Sequence, residues 1–163
     1  MLHAVCQWLE NTPVAQWISE SSYGFPSIET VHVLALTTVV GTILIVDMRL
    51  LNFASTDRAV RALSAEVLPY TWGAFLIAAV SGGLLFTSKA TEYIDNLPFR
   101  LKMLALALAG LNMVVFHYFT YRKVANWDTG AGPPLGARIA GALSLSLWAC
   151  VIICGRWIGF TTH

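Results

Sequence analysis

Four long apolar segments divide this chain, and between them they leave few folds open. They run over about 27–51, 66–88, 98–121 and 136–160. Each exceeds the roughly 20 residues that an α-helix needs to cross the hydrocarbon of a bilayer. Of all residues 56% are hydrophobic and only 12% charged. A soluble domain carries about twice that charged fraction, so the chain reads as an integral membrane protein. The expected fold is all-α: a four-helix transmembrane bundle in a single domain, with short connections and antiparallel neighbours.

The first 22 residues read as interfacial rather than spanning. Leu2, Val5, Cys6 and Leu9 share one helical face, and Thr12-Pro13 is an N-cap and first-turn pair that predicts a second short helix to about Ser19. Trp8 and Trp17 suit a headgroup boundary. The first 25 residues contain no Lys or Arg and no continuous apolar run, so no cleavable signal peptide is expected. Gly130 to Pro134 breaks the chain before the last span.

Basic residues set the expected orientation. Arg49, Arg58, Arg61, Arg122, Lys123 and Arg138 fall on one side, and Lys89, Arg100, Lys102 and Arg156 on the other. With the N-terminal segment free of positive charge, both termini are expected outside, which in a bacterial inner membrane means the periplasm. The net charge of +1 and the lack of a basic tract give no indication of nucleic-acid binding. The lipid bilayer is the expected partner. Ala78 with Gly82, Ala79 with Gly83, Ala105 with Ala109, Ala137 with Gly141 and Ala140 with Ser144 form small-residue faces, for packing within the bundle or in a homo-oligomer.

The polar residues inside the apolar runs are the candidates for function, because an imidazole or amine in hydrocarbon must be satisfied by a partner or a ligand. His32 in the first span and His117 in the third are the candidate metal or haem ligands. Glu29 lies three residues before His32 on the same helical face, where it can orient His32 or cap the helix. Asn112 precedes His117 by five residues, and His117 can instead face headgroups, as can Tyr118 and Tyr121. Counting helical rise puts the two histidines about 20 Å apart in height, too far to share one iron. His3, His163, Met48 and Met103 are possible further ligands. Lys102 and Arg156 lie at the level of Glu29 and His32, either snorkelling or pairing with an anionic group. Trp72 and Tyr70 sit near His117, as an aromatic belt or as the wall of a flat ligand. Asp47 and Arg49 are expected to form a surface ion pair, and Cys150 and Cys154, one turn apart, to pack as small apolar residues.

The blocks Ile28-Glu29-Thr30-Val31-His32-Val33-Leu34, Val46-Asp47-Met48-Arg49-Leu50-Leu51, Ala109 to His117 and Gly155-Arg156-Trp157-Ile158 resemble a bacterial family of small four-span membrane proteins of unknown function. More distantly, His32, Gly41 and Arg49-Leu50, with Lys102 and then His117, resemble the family that joins CopD-type copper-resistance proteins and HemJ-type protoporphyrinogen oxidases. That resemblance implies haem b, with His32 as an axial ligand and Lys102 as a site residue. The leading expectation is therefore a haem b-binding membrane redox protein, and if an enzyme, a haem-dependent oxidoreductase. His32 and His117 are its candidate ligands, with Glu29, Lys102, Arg156, Asn112 and Trp72 around them, and a quinone or redox protein is the expected electron partner. A metal-handling or transport protein using His32, Met103, Cys150 and Cys154 for copper is one alternative. A ligand-free accessory subunit of a membrane complex is another.

Overall fold

In the computed structural model, residues 1–128 and 132–161 are described, and they contain no β-strand. Two short helices, α1 (Leu2–Glu10) and α2 (Pro13–Glu20), precede the first span, α3 (Gly24–Leu50). The second span is α4 (Val60–Ser88), followed by a single-turn-and-a-half helix, α5 (Ala90–Asp95). The third is α6 (Leu97–Val115), which continues through a π-turn at Phe116–Thr120 and a 3-10 segment at Tyr121–Asn126. The fourth is α7 (Leu135–Thr161). Among the described residues four helices are long and apolar enough to span a bilayer, so the chain is a multi-pass membrane protein. An even number of spans puts α1, α2, α5 and the end of α7 at one end, here the terminal end, and the arginine-rich loops at the other.

Local chemistry explains most of these limits. The Thr12 hydroxyl accepts from the Ala15 N–H at 3.4 Å, and Pro13 stands in the first turn of α2. Asn96 caps α6 by accepting from the Phe99 N–H at 3.1 Å, and its amide donates to Thr161 Oγ1 at 2.8 Å, tying α6 to the end of α7. The Glu10 carboxylate accepts from the backbone and hydroxyl of Thr91, at 2.8 and 2.7 Å, fastening α1 to α5.

The second span departs from the sequence expectation. It starts at Val60, not near Glu66, and Pro69 lies inside it rather than in its first turn. The cause is a distant cap: the Asp128 carboxylate accepts from the N–H groups of Val60 and Arg61. Those donors are the unpaired groups of a helix start, and a carboxylate there also meets the positive end of the helix dipole. Gly130, Ala131 and His163 lie outside the described residues.

The bundle is uneven. α3 packs along α4 and α7, and α7 along α6, whereas α4 and α6 make no extensive backbone approach. A core of Val39, Ala74, Ala105, Trp148 and Val151 joins all four spans at mid-depth. Gly141 allows α7 to lie against α3, since a Cβ there would stand 3.2 Å from the Asp47 carbonyl oxygen and the Leu50 Cβ. A second cluster, Leu50, Val60, Val124, Trp127 and Ala137, closes the arginine-rich end.

Replacing Asp128 with Ala removes the cap of α4. We expect a loss of about 0.5–2 kcal/mol in equilibrium unfolding from mixed micelles, with faster hydrogen exchange at the Val60 and Arg61 amides. Unchanged exchange there would show that the cap does not hold the helix start.

Candidate functional site

The four spans bring one polar layer together near the terminal end. His32 lies eight residues into α3, Lys102 five into α6, Ser81 seven before the end of α4, and Cys154 seven before the end of α7. At 1.5 Å per residue, all four backbones sit roughly 8–12 Å below their helix ends.

His32 Nδ1 is 3.0 Å from Ser81 Oγ. The Ser81 hydroxyl in turn donates to the Ile77 carbonyl at 2.7 Å. A serine hydroxyl has one hydrogen, so with that hydrogen spent, Oγ accepts from the Nδ1–H of the imidazole. The Ala78 carbonyl is a further acceptor for the same ring. Assigned from this network, the tautomer carries its hydrogen on Nδ1 and its lone pair on Nε2. The ring is also pressed against α4: a Cβ on Gly82 would stand 2.8 Å from His32 Cε1 and 3.3 Å from Nδ1.

Lys102 is close enough to His32 and to Cys154 to act on both electrostatically. Its stem crosses α7 at Gly155, with Nζ 3.6 Å and Cε 3.8 Å from the position a Cβ would take. Among the described residues it makes no ion pair. Cys150 Sγ and Cys154 Sγ are 3.8 Å apart. Above the layer, Phe86, Tyr93 and Phe99 from α4, α5 and α6 stack with centroids 5.5–6.3 Å apart and planes within 23°. Burial pushes the Tyr93 phenol above its ordinary range, and the carboxylates of Glu92 and Glu29 push the same way. On the membrane side of Ser81, a groove of about 460 Å³ opens between α3, at Ile28 and Val31, and α4, at Ile77 and Val80.

The other candidates lie elsewhere. Glu29 is exposed and reaches Tyr93, while the hydrogen bond to His32 comes from Ser81. Arg156 is exposed and lies over the Phe160 ring, 5.0 Å from its centroid. His3 pairs with Asp95 at 3.7 Å on the surface. His117 sits in the π-turn near the opposite end, exposed and stacked on Tyr121 at 5.2 Å. By helical rise it is roughly 18 Å from His32 in height, so the two belong to different places. Asn112 donates to the Ala140 carbonyl at 2.9 Å, a helix-packing bond. Trp72 is exposed, edge-on to Phe75. Met103 is exposed on α6.

Asp47 and Arg49 correct the expectation of a surface ion pair. They are 5% and 3% exposed and do not bond each other. Arg49 Nε donates to the Arg58 carbonyl at 2.6 Å, because the loop after α3 folds over it, and Asp47 lies near Ser144 of α7. Ser81 and Gly82 were not singled out as site residues by the sequence reading. Gly82 stands in the sequence only as a small packing residue paired with Ala78, and Ser81 carries no signal there.

These features define a four-span membrane bundle with a histidine-centred polar layer. Residues 8–161 match a family of unknown function, DUF6644, and the chain belongs to that family. No curated protein and no solved structure matches it.

Gly82 and Gly83 offer a paired test of the ring's position. Gly82→Ala places a methyl against the imidazole and should destabilise by about 1–3 kcal/mol. Gly83 has nothing within 4 Å of the Cβ position, so Gly83→Ala should be neutral or stabilise by up to about 1 kcal/mol. Equal effects in mixed-micelle unfolding would contradict the placement of His32.

Proposed function

We propose that this protein is a redox protein of the bacterial inner membrane that holds haem b through His32 Nε2, with both termini in the periplasm. One observation carries the reading. Ser81 fixes the imidazole through Nδ1, so the lone pair falls on Nε2, the arrangement in which metal-bound histidines are usually oriented.

The donor set favours haem over a bare metal ion. Among the described residues no three His, Cys, Asp or Glu side chains come together to hold a metal. A structural zinc ion needs about four protein ligands. Haem brings four nitrogens of its own and needs only one or two axial side chains. The residues present fit that requirement: one oriented imidazole, apolar helix faces, and Lys102 as the neighbouring nitrogen base or cation. Bound there, haem would supply one-electron exchange. The chain's own part is to orient the imidazole through Ser81, to make room for it at Gly82, and to exclude water with the Phe86, Tyr93 and Phe99 stack. The groove beside Ser81 supports a lipid-soluble electron partner such as a quinone. His117 is not a ligand of the same group.

The 3.8 Å thiol pair favours a second reading, copper handling. It draws no support from Met103, which is exposed.

Protein purified in detergent after expression with haem precursor should show a Soret band that shifts on dithionite reduction, with α and β bands appearing. His32→Ala should lose it and His117→Ala should keep it. A folded protein with no Soret band would overturn the reading. Stoichiometric copper in that sample, lost in Cys150→Ala, would establish the second reading in its place.

A further inference from the structure

We propose that the arginine-rich end of the bundle binds the phosphate of an anionic phospholipid through Arg61, Arg122, Lys123 and Arg138. The inference is independent of the haem reading above.

Three observations carry it. First, the fold gathers these cations. Val60, Val124 and Ala137 pack together with Leu50 and Trp127 in the cluster that closes this end. Arg61, Lys123 and Arg138 are their immediate chain neighbours, on α4, the 3-10 segment and α7. Tyr121, Val124 and Trp127 recur every three residues on the inward face of the 3-10 turn, which leaves Arg122 and Lys123 outward. A Cβ on Gly136 would stand 3.4 Å from Thr120 Oγ1, so the first turn of α7, with Arg138 in it, lies against the chain leading into Arg122. Secondly, the protein does not neutralise them. All four are exposed, and none makes an ion pair among the described residues. The carboxylates at this end are engaged elsewhere. Asp128 accepts from the Val60 and Arg61 amides, Glu66 pairs with Arg58, and Asp47 is buried. Asp57 alone is left exposed and unpaired among the described residues. At the terminal end, by contrast, Lys89 pairs with Glu92 and Arg156 lies over Phe160. Thirdly, apolar surface adjoins the charges. Leu135 and Ile139 flank Arg138, and Tyr118 and Phe119 precede Arg122, all exposed. By helical rise Arg138 is roughly 5 Å inside the start of α7, at the level of the headgroups. Basic residues at a membrane surface attract anionic lipid. A phospholipid meets both features, its phosphate the cations and its acyl chain the apolar side chains, whereas an acidic protein meets only the first.

The test is native mass spectrometry of the detergent-purified protein titrated with phosphatidylglycerol or with phosphatidylcholine of the same chains. Wild type should bind phosphatidylglycerol about tenfold or more tightly, and added salt should narrow the difference. The triple variant Arg122→Gln, Lys123→Gln, Arg138→Gln should bind the two lipids alike. Arg122→Lys with Arg138→Lys keeps the charge and should keep the preference. A wild type without preference, or a triple variant that retains it, would overturn the proposal. So would displacement of phosphatidylglycerol by an equal concentration of inorganic phosphate, which would assign the cations to a free anion. Tighter binding of polyglutamate than of phosphatidylglycerol would assign them instead to an acidic protein. If the triple variant fails to fold, Arg138→Gln decides: it should cut the preference about fivefold, and an unchanged preference would contradict the proposal.

Discussion

The hydrocarbon core offers neither hydrogen bonds nor counter-ions, and this bundle is arranged around that lack. Backbone groups are satisfied within helices, leaving side chains as the remaining problem. Most solve it locally. Thr37, Thr38 and Ser146 donate to carbonyls one turn back, at 2.8–3.0 Å. Thr42 does so too, and accepts from Thr71 across the α3–α4 interface at 2.9 Å. Asn112 borrows the Ala140 carbonyl of α7. His32 is different, because its imidazole is held from a neighbouring helix, by Ser81 of α4 through Nδ1 at 3.0 Å.

Small residues make that arrangement possible. Without Gly82, α4 could not approach the imidazole closely enough for Ser81 to hold it. Lys102 passes Gly155 at ordinary van der Waals distance, 3.6–3.9 Å from where a Cβ would stand. Sterics and hydrogen bonding thus act together at His32: Gly82 admits the ring, and Ser81 fixes its orientation. The arginine-rich end shows the same pressure in another form. Asp47 Oδ2, Arg49 Nη1 and Trp127 Nε1 are buried there without a partner among the described residues. By helical rise Asp47 lies roughly 22 Å from His32 along α3, so the three belong to a separate feature of the fold.

Much of this was legible in the sequence, for reasons that differ by element. The four spans follow from apolar runs longer than a bilayer, and the start of α2 from Thr12-Pro13. The start of α4 was not legible, because its cap, Asp128, is 68 residues from Val60. The level of His32 followed from helical rise, as did its separation from His117. Its partner did not. The i, i+3 spacing of Glu29 puts it on the same face, but spacing says nothing about which neighbouring helix covers that face. Asp47 and Arg49 looked superficial because they end a span, and only the fold of the following loop buries them. Ser81 carried no motif at all; its importance lies wholly in which helix packs opposite.

The polar layer turns on the state of one imidazole. Nitrogen-15 chemical shifts of histidine-labelled protein in detergent, assigned to His32 by comparison with His32→Ala, report it directly. The account predicts a neutral His32 protonated at Nδ1 in the haem-free protein, with that signature lost in Ser81→Ala. A His32 protonated at Nε2, or one indifferent to Ser81, would contradict it.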